Sequence, residues 1–145
     1  MAVGLSFAVN ASPADAAAPT CRGVTATIVG TSRGEDINGT SGRDVILARG
    51  GDDDIEGKGG NDLICAGRGE DDVEGNRGRD RVYGGRGEDD LEGDRGRDRL
   101  YGGRGGDDLE GNRRADFLDG GPGDDEGEGG RGNDTCRRIE ERESC

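Results

Sequence analysis

The sequence predicts an all-β fold: a parallel solenoid of two sheets, with 18 residues per coil and about six coils. Three observations carry that expectation. From Gly30 to Arg137 the chain divides into twelve rows of nine residues, and Asp fills the sixth position of eleven of them. Alternate rows differ in kind, so the full unit is two rows long: Glu88-Asp89-Asp90-Leu91-Glu92 is answered by Arg97-Asp98-Arg99-Leu100-Tyr101. Finally, Leu, Ile, Val and Phe number only 22 of 145 residues beside 32 glycines and a net charge of −13, too little apolar surface for a conventional packed core.

Each column of the nine-residue row has a physical task. Glycine at positions one and four is expected to supply positive φ and close backbone approach, so that six residues make a tight turn. The last three residues, as in Asp108-Leu109-Glu110, then form a short strand. Side chains alternate across a strand, so positions six and eight share a face while seven and nine point away. Position eight is aliphatic in ten rows, from Ile37 to Leu118, and marks the inside. The Asp at position six is therefore aimed inward at the edge of the turn, where a carboxylate is costly unless it is paired or metal-bound. Equivalent residues of successive coils would stack ~4.8 Å apart.

The two outer faces differ. One carries a carboxylate ladder of Asp54, Glu56, Asp72, Glu74, Asp90, Glu92, Asp108 and Glu110. The other carries Val45, Leu47, Leu63, Cys65, Arg81, Tyr83, Arg99, Tyr101 and Phe117, an apolar patch followed by an Arg/Tyr strip. The patch is expected to pack under the N-terminal segment.

Absences narrow the function. With no histidine, Ser-His-Asp and Cys-His catalysis and His-ligated zinc are excluded. Lys58 is the sole lysine, which argues against a Schiff-base enzyme, and net acidity argues against a nucleic-acid partner. No run of 18 apolar residues exists to span a membrane as a helix. Gly30-Thr31-Ser32-Arg33-Gly34 fits the G-x-S-x-G elbow and Gly127, Gly129 and Gly132 fit G-x-G-x-x-G, but neither lies in the strand-to-helix context its chemistry needs.

The ends have separate roles. Residues 1–20 read as a signal peptide or disordered leader, weakly apolar over residues 2–9 and with an A-x-A cleavage pattern at Ala14-Asp15-Ala16. Residues 21–29 form an N-terminal capping strand in which Val24, Ala26 and Ile28 alternate and Ile28 falls in register with position eight. Residues 138–145 are expected to fold back as a C-terminal cap. Four cysteines, an even number in a small exported chain, favour disulfides, and three pairings are open. Cys21–Cys65 with Cys136–Cys145 is preferred, because each bridge would fasten one end of the body. These features point to a secreted, extracellular protein.

The row Gly84-Gly85-Arg86-Gly87-Glu88-Asp89-Asp90-Leu91-Glu92 fits G-G-x-G-x-D-x-U-x at every defined position. Repeated over residues 30–137, it resembles the RTX (haemolysin-type) calcium-binding nonapeptide repeat family. The resemblance implies a right-handed parallel β-roll holding Ca²⁺ between the turns of successive coils, with position-six carboxylates and turn carbonyls as ligands. The implied metal residues form two columns. One is Asp53, Asp71, Asp89, Asp107 and Asp125; the other is Asp44, Asp62, Asp80, Asp98, Asp116 and Asp134. Sites between neighbours number at most nine, and the best are expected between residues 57 and 110, before Arg113-Arg114 and the core Gly127. Oxygen-only ligation suits Ca²⁺. The function implied is that of a secreted, non-enzymatic calcium-ion-binding repeat protein with a structural or surface role. The alternative is an adhesin-like module recognising a cell-surface glycan or protein through the Arg/Tyr face.

Overall fold

The computed structural model describes residues 17–145; residues 1–16, and with them most of the expected leader, lie outside the described residues. The repeat winds as a spiral with two main strands per coil, joined in the middle coils by a third short one (Gly59–Gly60, Arg77–Gly78 and Arg95–Gly96, paired in parallel), and no helix occurs among the described residues. One seven-stranded sheet takes the even rows: Ile28–Val29, Val45–Leu47, Leu63–Arg68, Arg81–Arg86, Arg99–Arg104, Phe117–Asp119 and Thr135–Arg137. The second takes the odd rows: Asp36–Asn38, Asp54–Glu56, Asp72–Glu74, Asp90–Glu92, Asp108–Glu110, Glu126–Glu128 and Glu141–Glu143. Pairing is parallel, with Val82 beside Ile64 and Leu100, and Leu91 beside Val73 and Leu109. Each step but the last of the second sheet is 18 residues, the unit that the alternating rows predict.

Position eight builds the core. Ile46, Ile64, Val82, Leu100 and Leu118 from one sheet meet Ile55, Val73, Leu91 and Leu109 from the other, all fully buried. One aliphatic side chain per strand fills the space between the sheets, because positions seven and nine face out.

The turns depart from the expected use of glycine. Left-handed backbone falls at position four, as at Gly60 (φ 129°) and Gly69 (φ 130°), and at position two, at Lys58, Asn76, Asp94 and Asn112 (φ 66–70°). Asn and Asp tolerate that conformation better than most residues. The position-one glycines are not left-handed. They are required because a methyl at Gly57 would lie 2.9 Å from the Gly75 carbonyl oxygen and 3.0 Å from Asp62 Oδ2. The strands of the first sheet also run longer than three residues in the middle coils, through to Arg68, Arg86 and Arg104.

Both ends are tied. Ile28 pairs with Ile46 as expected, while Thr20–Cys21 and Val24–Thr25 form an antiparallel hairpin on the outer face of the first sheet. There Cys21, Val45 and Leu63 make a second apolar cluster with Ala26, Cys65 and Tyr83 against it. The apolar patch is thus covered by the N-terminal segment. Disulfides join Cys21 to Cys65 and Cys136 to Cys145, with Cα–Cα distances of 5.8 Å in each. The C-terminal residues add a shortened coil to the spiral: Glu141–Glu143 pairs with Glu126–Glu128 fifteen residues earlier, and buried Ile139 occupies the core space that Gly127 leaves.

Candidate metal centre

Asp at position six ends each turn, and the strand that follows fixes its side chain inward. All but the last of these carboxylates are buried: Asp71, Asp80, Asp89, Asp98, Asp107 and Asp125 are each 1% exposed. Within each column they interlock. The main-chain N–H of Asp62 donates to Asp80 Oδ1 (2.8 Å), that of Asp80 to Asp98 Oδ1 (2.8 Å) and that of Asp98 to Asp116 Oδ1 (2.8 Å). The other column repeats the pattern, Asp71 to Asp89 and Asp89 to Asp107 at 3.1 Å each. One oxygen of each carboxylate except Asp44 therefore staples its coil to the preceding one.

The second oxygen has no such partner. Oδ2 of Asp53, Asp62, Asp71, Asp80, Asp89, Asp98, Asp107, Asp116, Asp125 and Asp134 is buried and accepts no hydrogen bond. An unsatisfied carboxylate oxygen in the interior is costly, and a repeated one calls for a common partner. Eight of these oxygens face the glycine that starts their own turn, where a Cβ would lie within about 3 Å; the turns of Asp53 and Asp71 start instead with Ala48 and Ala66. At Gly111 a methyl would sit 2.8 Å from the Gly129 carbonyl oxygen and 3.0 Å from Asp116 Oδ2. The cradle is built of oxygen atoms from two coils.

Electrostatics mark the same groups. Burial pushes Asp80, Asp89, Asp98 and Asp116 up to about 7 and Asp71 and Asp107 up to about 6. The main-chain N–H on Oδ1 opposes the rise, and neighbouring carboxylates add to it. Anions so placed are stabilised by a cation. Among the described residues no three His, Cys, Asp or Glu side chains converge; what each coil could offer a metal is one carboxylate oxygen and the main-chain carbonyls of its turn. Hard oxygen donors in a flexible loop fit Ca²⁺ rather than Zn²⁺ or Cu²⁺.

The family model of the RTX calcium-binding nonapeptide repeat (4 copies) matches residues 29–64, 66–100 and 101–136. The chain belongs to the RTX calcium-binding nonapeptide repeat family. RTX repeats are structural calcium-binding units, not enzymes. No curated protein and no solved structure matches the chain.

The RTX columns end in ways the repeat alone does not disclose. Asp44 Oδ2 is already satisfied by the N–H (2.6 Å) and hydroxyl (2.9 Å) of Thr40, unlike the ten carboxylates below it. Glu35, the row without an Asp at position six, is closed likewise by Thr31, whose N–H donates to Oε2 at 2.8 Å and hydroxyl to Oε1 at 3.0 Å. At the other end Glu140 Oε2 accepts the N–H of Asp125 (3.0 Å), standing in for the next aspartate. Thr at position two was the available signal for the first pair. Glu140 had none, because the final coil drops three residues and leaves the nine-residue frame. Arg114 causes no break: it adopts φ 87° where glycine usually stands, and the ladder passes from Asp98 through Asp116 to Asp134.

Proposed function

We propose that this chain is a secreted, non-enzymatic calcium-binding protein whose roll folds as several Ca²⁺ ions enter between stacked turns. The observation that carries the reading is the set of ten buried Oδ2 atoms without a partner, in two columns on either side of a one-residue-wide core. In the absence of a cation these carboxylates repel one another and oppose burial, and a thin aliphatic core is a weak counterweight. Binding of a divalent ion that requires the folded geometry contributes directly to folding. The residues assigned to the ions are Asp53, Asp71, Asp89, Asp107 and Asp125 in one column and Asp62, Asp80, Asp98, Asp116 and Asp134 in the other; Asp44 is the weakest candidate, since Thr40 occupies its free oxygen.

Export is supported by the two disulfides, which persist in oxidising compartments, and by the Ala14-Asp15-Ala16 pattern. An adhesin-like role for the Arg/Tyr face has less support. Tyr83 and Tyr101 stack at 4.7 Å, but Arg22 lies over the Tyr83 ring at 4.6 Å, so part of that aromatic surface is already covered.

Far-ultraviolet circular dichroism, read alongside calorimetric titration with Ca²⁺, tests the proposal. The expected result is loss of β signal in chelator, its cooperative return with Ca²⁺, and a stoichiometry of several ions per chain. A β spectrum indifferent to chelator, or no heat of binding at millimolar Ca²⁺, would overturn it.

A further inference from the structure

We infer that the arginine strip on the outer face of the first sheet docks a second copy of this chain, through the carboxylate ladder on that copy's opposite face. Arg79, Arg81, Arg97 and Arg99 are exposed and line a groove of about 680 Å³ that they share with Asp80 and Asp98 of the metal column. Among the described residues the ion pair is Arg138 with Asp119, so none of these four guanidinium groups pairs directly with a described carboxylate. On the other side of the roll, Asp72, Asp90 and Asp108 stand in register, as do Glu74, Glu92 and Glu110. Directly opposed like charges are destabilising. Their cost shows at Glu92, which burial and the carboxylates of Glu110, Asp94, Glu74 and Asp90 push up to about 7.

Charge complementarity alone would admit many anions; the period selects the occupant. Arg81 and Arg99 are Cα partners in one sheet, and Asp72, Asp90 and Asp108 in the other, each advancing one residue per 18-residue coil. Both rows therefore share a ~4.8 Å step, set by the hydrogen-bond spacing between strands. A second copy presents one Asp/Glu pair per coil to the arginine pairs of two successive coils, Arg79/Arg81 and Arg97/Arg99, and a shift of the ladder by a whole coil preserves the match. An external polyanion need not carry that step. The contact joins unlike faces, so it is heterologous and leaves each copy free to bind another, as in an open lateral array. It is also small. The Thr20–Thr25 hairpin covers the strip's N-terminal side, so contact starts at the coil of Arg81, and the association is weak and salt-sensitive.

The calcium-loaded full chain should show a sedimentation coefficient that rises with concentration at about 0.02 M salt and stays flat at about 0.5 M, where the screening length has fallen to roughly 4 Å. The variant Arg81→Glu/Arg99→Glu should associate at least about tenfold more weakly, and Asp90→Arg/Asp108→Arg likewise; mixing the two should restore association. Circular dichroism of the same samples reports folding separately, so a failure of calcium-dependent folding is distinguishable from a failure of docking. The salt series on the unaltered chain keeps the test open should a variant not fold. A concentration-independent coefficient at low salt overturns the inference. So does association untouched by the arginine changes, which would indicate Ca²⁺ bridging of carboxylate ladders. Capture of a sulfated polysaccharide by a chain that stays monomeric assigns the strip to an external polyanion and equally overturns it.

Discussion

Asp80 and Asp98 are joined by a single hydrogen bond, from the Asp80 main-chain N–H to Asp98 Oδ1 at 2.8 Å, while Asp98 Oδ2 is left buried and unpartnered. One oxygen holds the coils together and the other is free for an ion. The two roles are separable by substitution. Asp98→Asn retains a carbonyl acceptor for the Asp80 N–H and removes the charge. Calorimetry should show fewer Ca²⁺ bound than by the unaltered chain. Asp98→Ala removes both roles and should cost a further ~1–3 kcal/mol in the calcium-loaded state, from the stranded N–H. Equal calcium stoichiometry in Asp98→Asn would contradict the assignment.

The pH dependence should reverse sign with calcium. Asp80, Asp89, Asp98 and Asp116 titrate near 7 in the folded chain against an ordinary value of 3.8. A carboxyl group raised by folding favours the folded state when protonated, so its contribution is complete below the unfolded value and lost as pH rises through about 7. In chelator, the β signal by circular dichroism should therefore be better retained at pH 5 than at pH 8. In excess Ca²⁺ the order should invert, because protons compete with the ion. Parallel trends in the two series would count against carboxylate ligation.

Ile139 and Gly127 share one core position, and their sizes are coupled. A Cβ on Gly127 would lie 2.7 Å from Ile139 Cδ1. Ile139→Ala should cost about 2–4 kcal/mol by opening a cavity, and Gly127→Val about 1–3 kcal/mol by overpacking. The double variant should be less destabilised than the sum of the two, and a double-mutant cycle from denaturant unfolding measures that difference. Strict additivity would show that the two side chains do not compete for the space.

Cys21–Cys65 closes a loop of 44 residues between the hairpin and the first sheet. Replacing both cysteines with serine should cost about 3–4 kcal/mol on the chain-entropy estimate for such a loop. It should also free the hairpin from Val45 and Leu63, which limited proteolysis near Arg22 would detect. Cleavage rates unchanged by the substitution would mean that apolar contact alone holds the segment.

The coil length, the inward aliphatic and aspartate columns and the separation of an acidic from an Arg/Tyr face are all local consequences of the nine-residue row. Side-chain alternation along a strand and stacking at a constant period need no information from elsewhere in the chain, so the sequence by itself determined them. It also ranked the disulfide pairing, since only two segments lie outside the repeat. The tertiary structure decided what depends on neighbours out of register. Position-one glycines answer to a carbonyl in the next coil and not to their own backbone angle; Thr31 and Thr40 close the first carboxylates; Glu140 and Ile139 supply an aspartate substitute and a core side chain from a coil three residues short. A period describes the interior of a spiral, where every residue meets a copy of itself. At its ends the chain meets different residues, and only the folded geometry determines which.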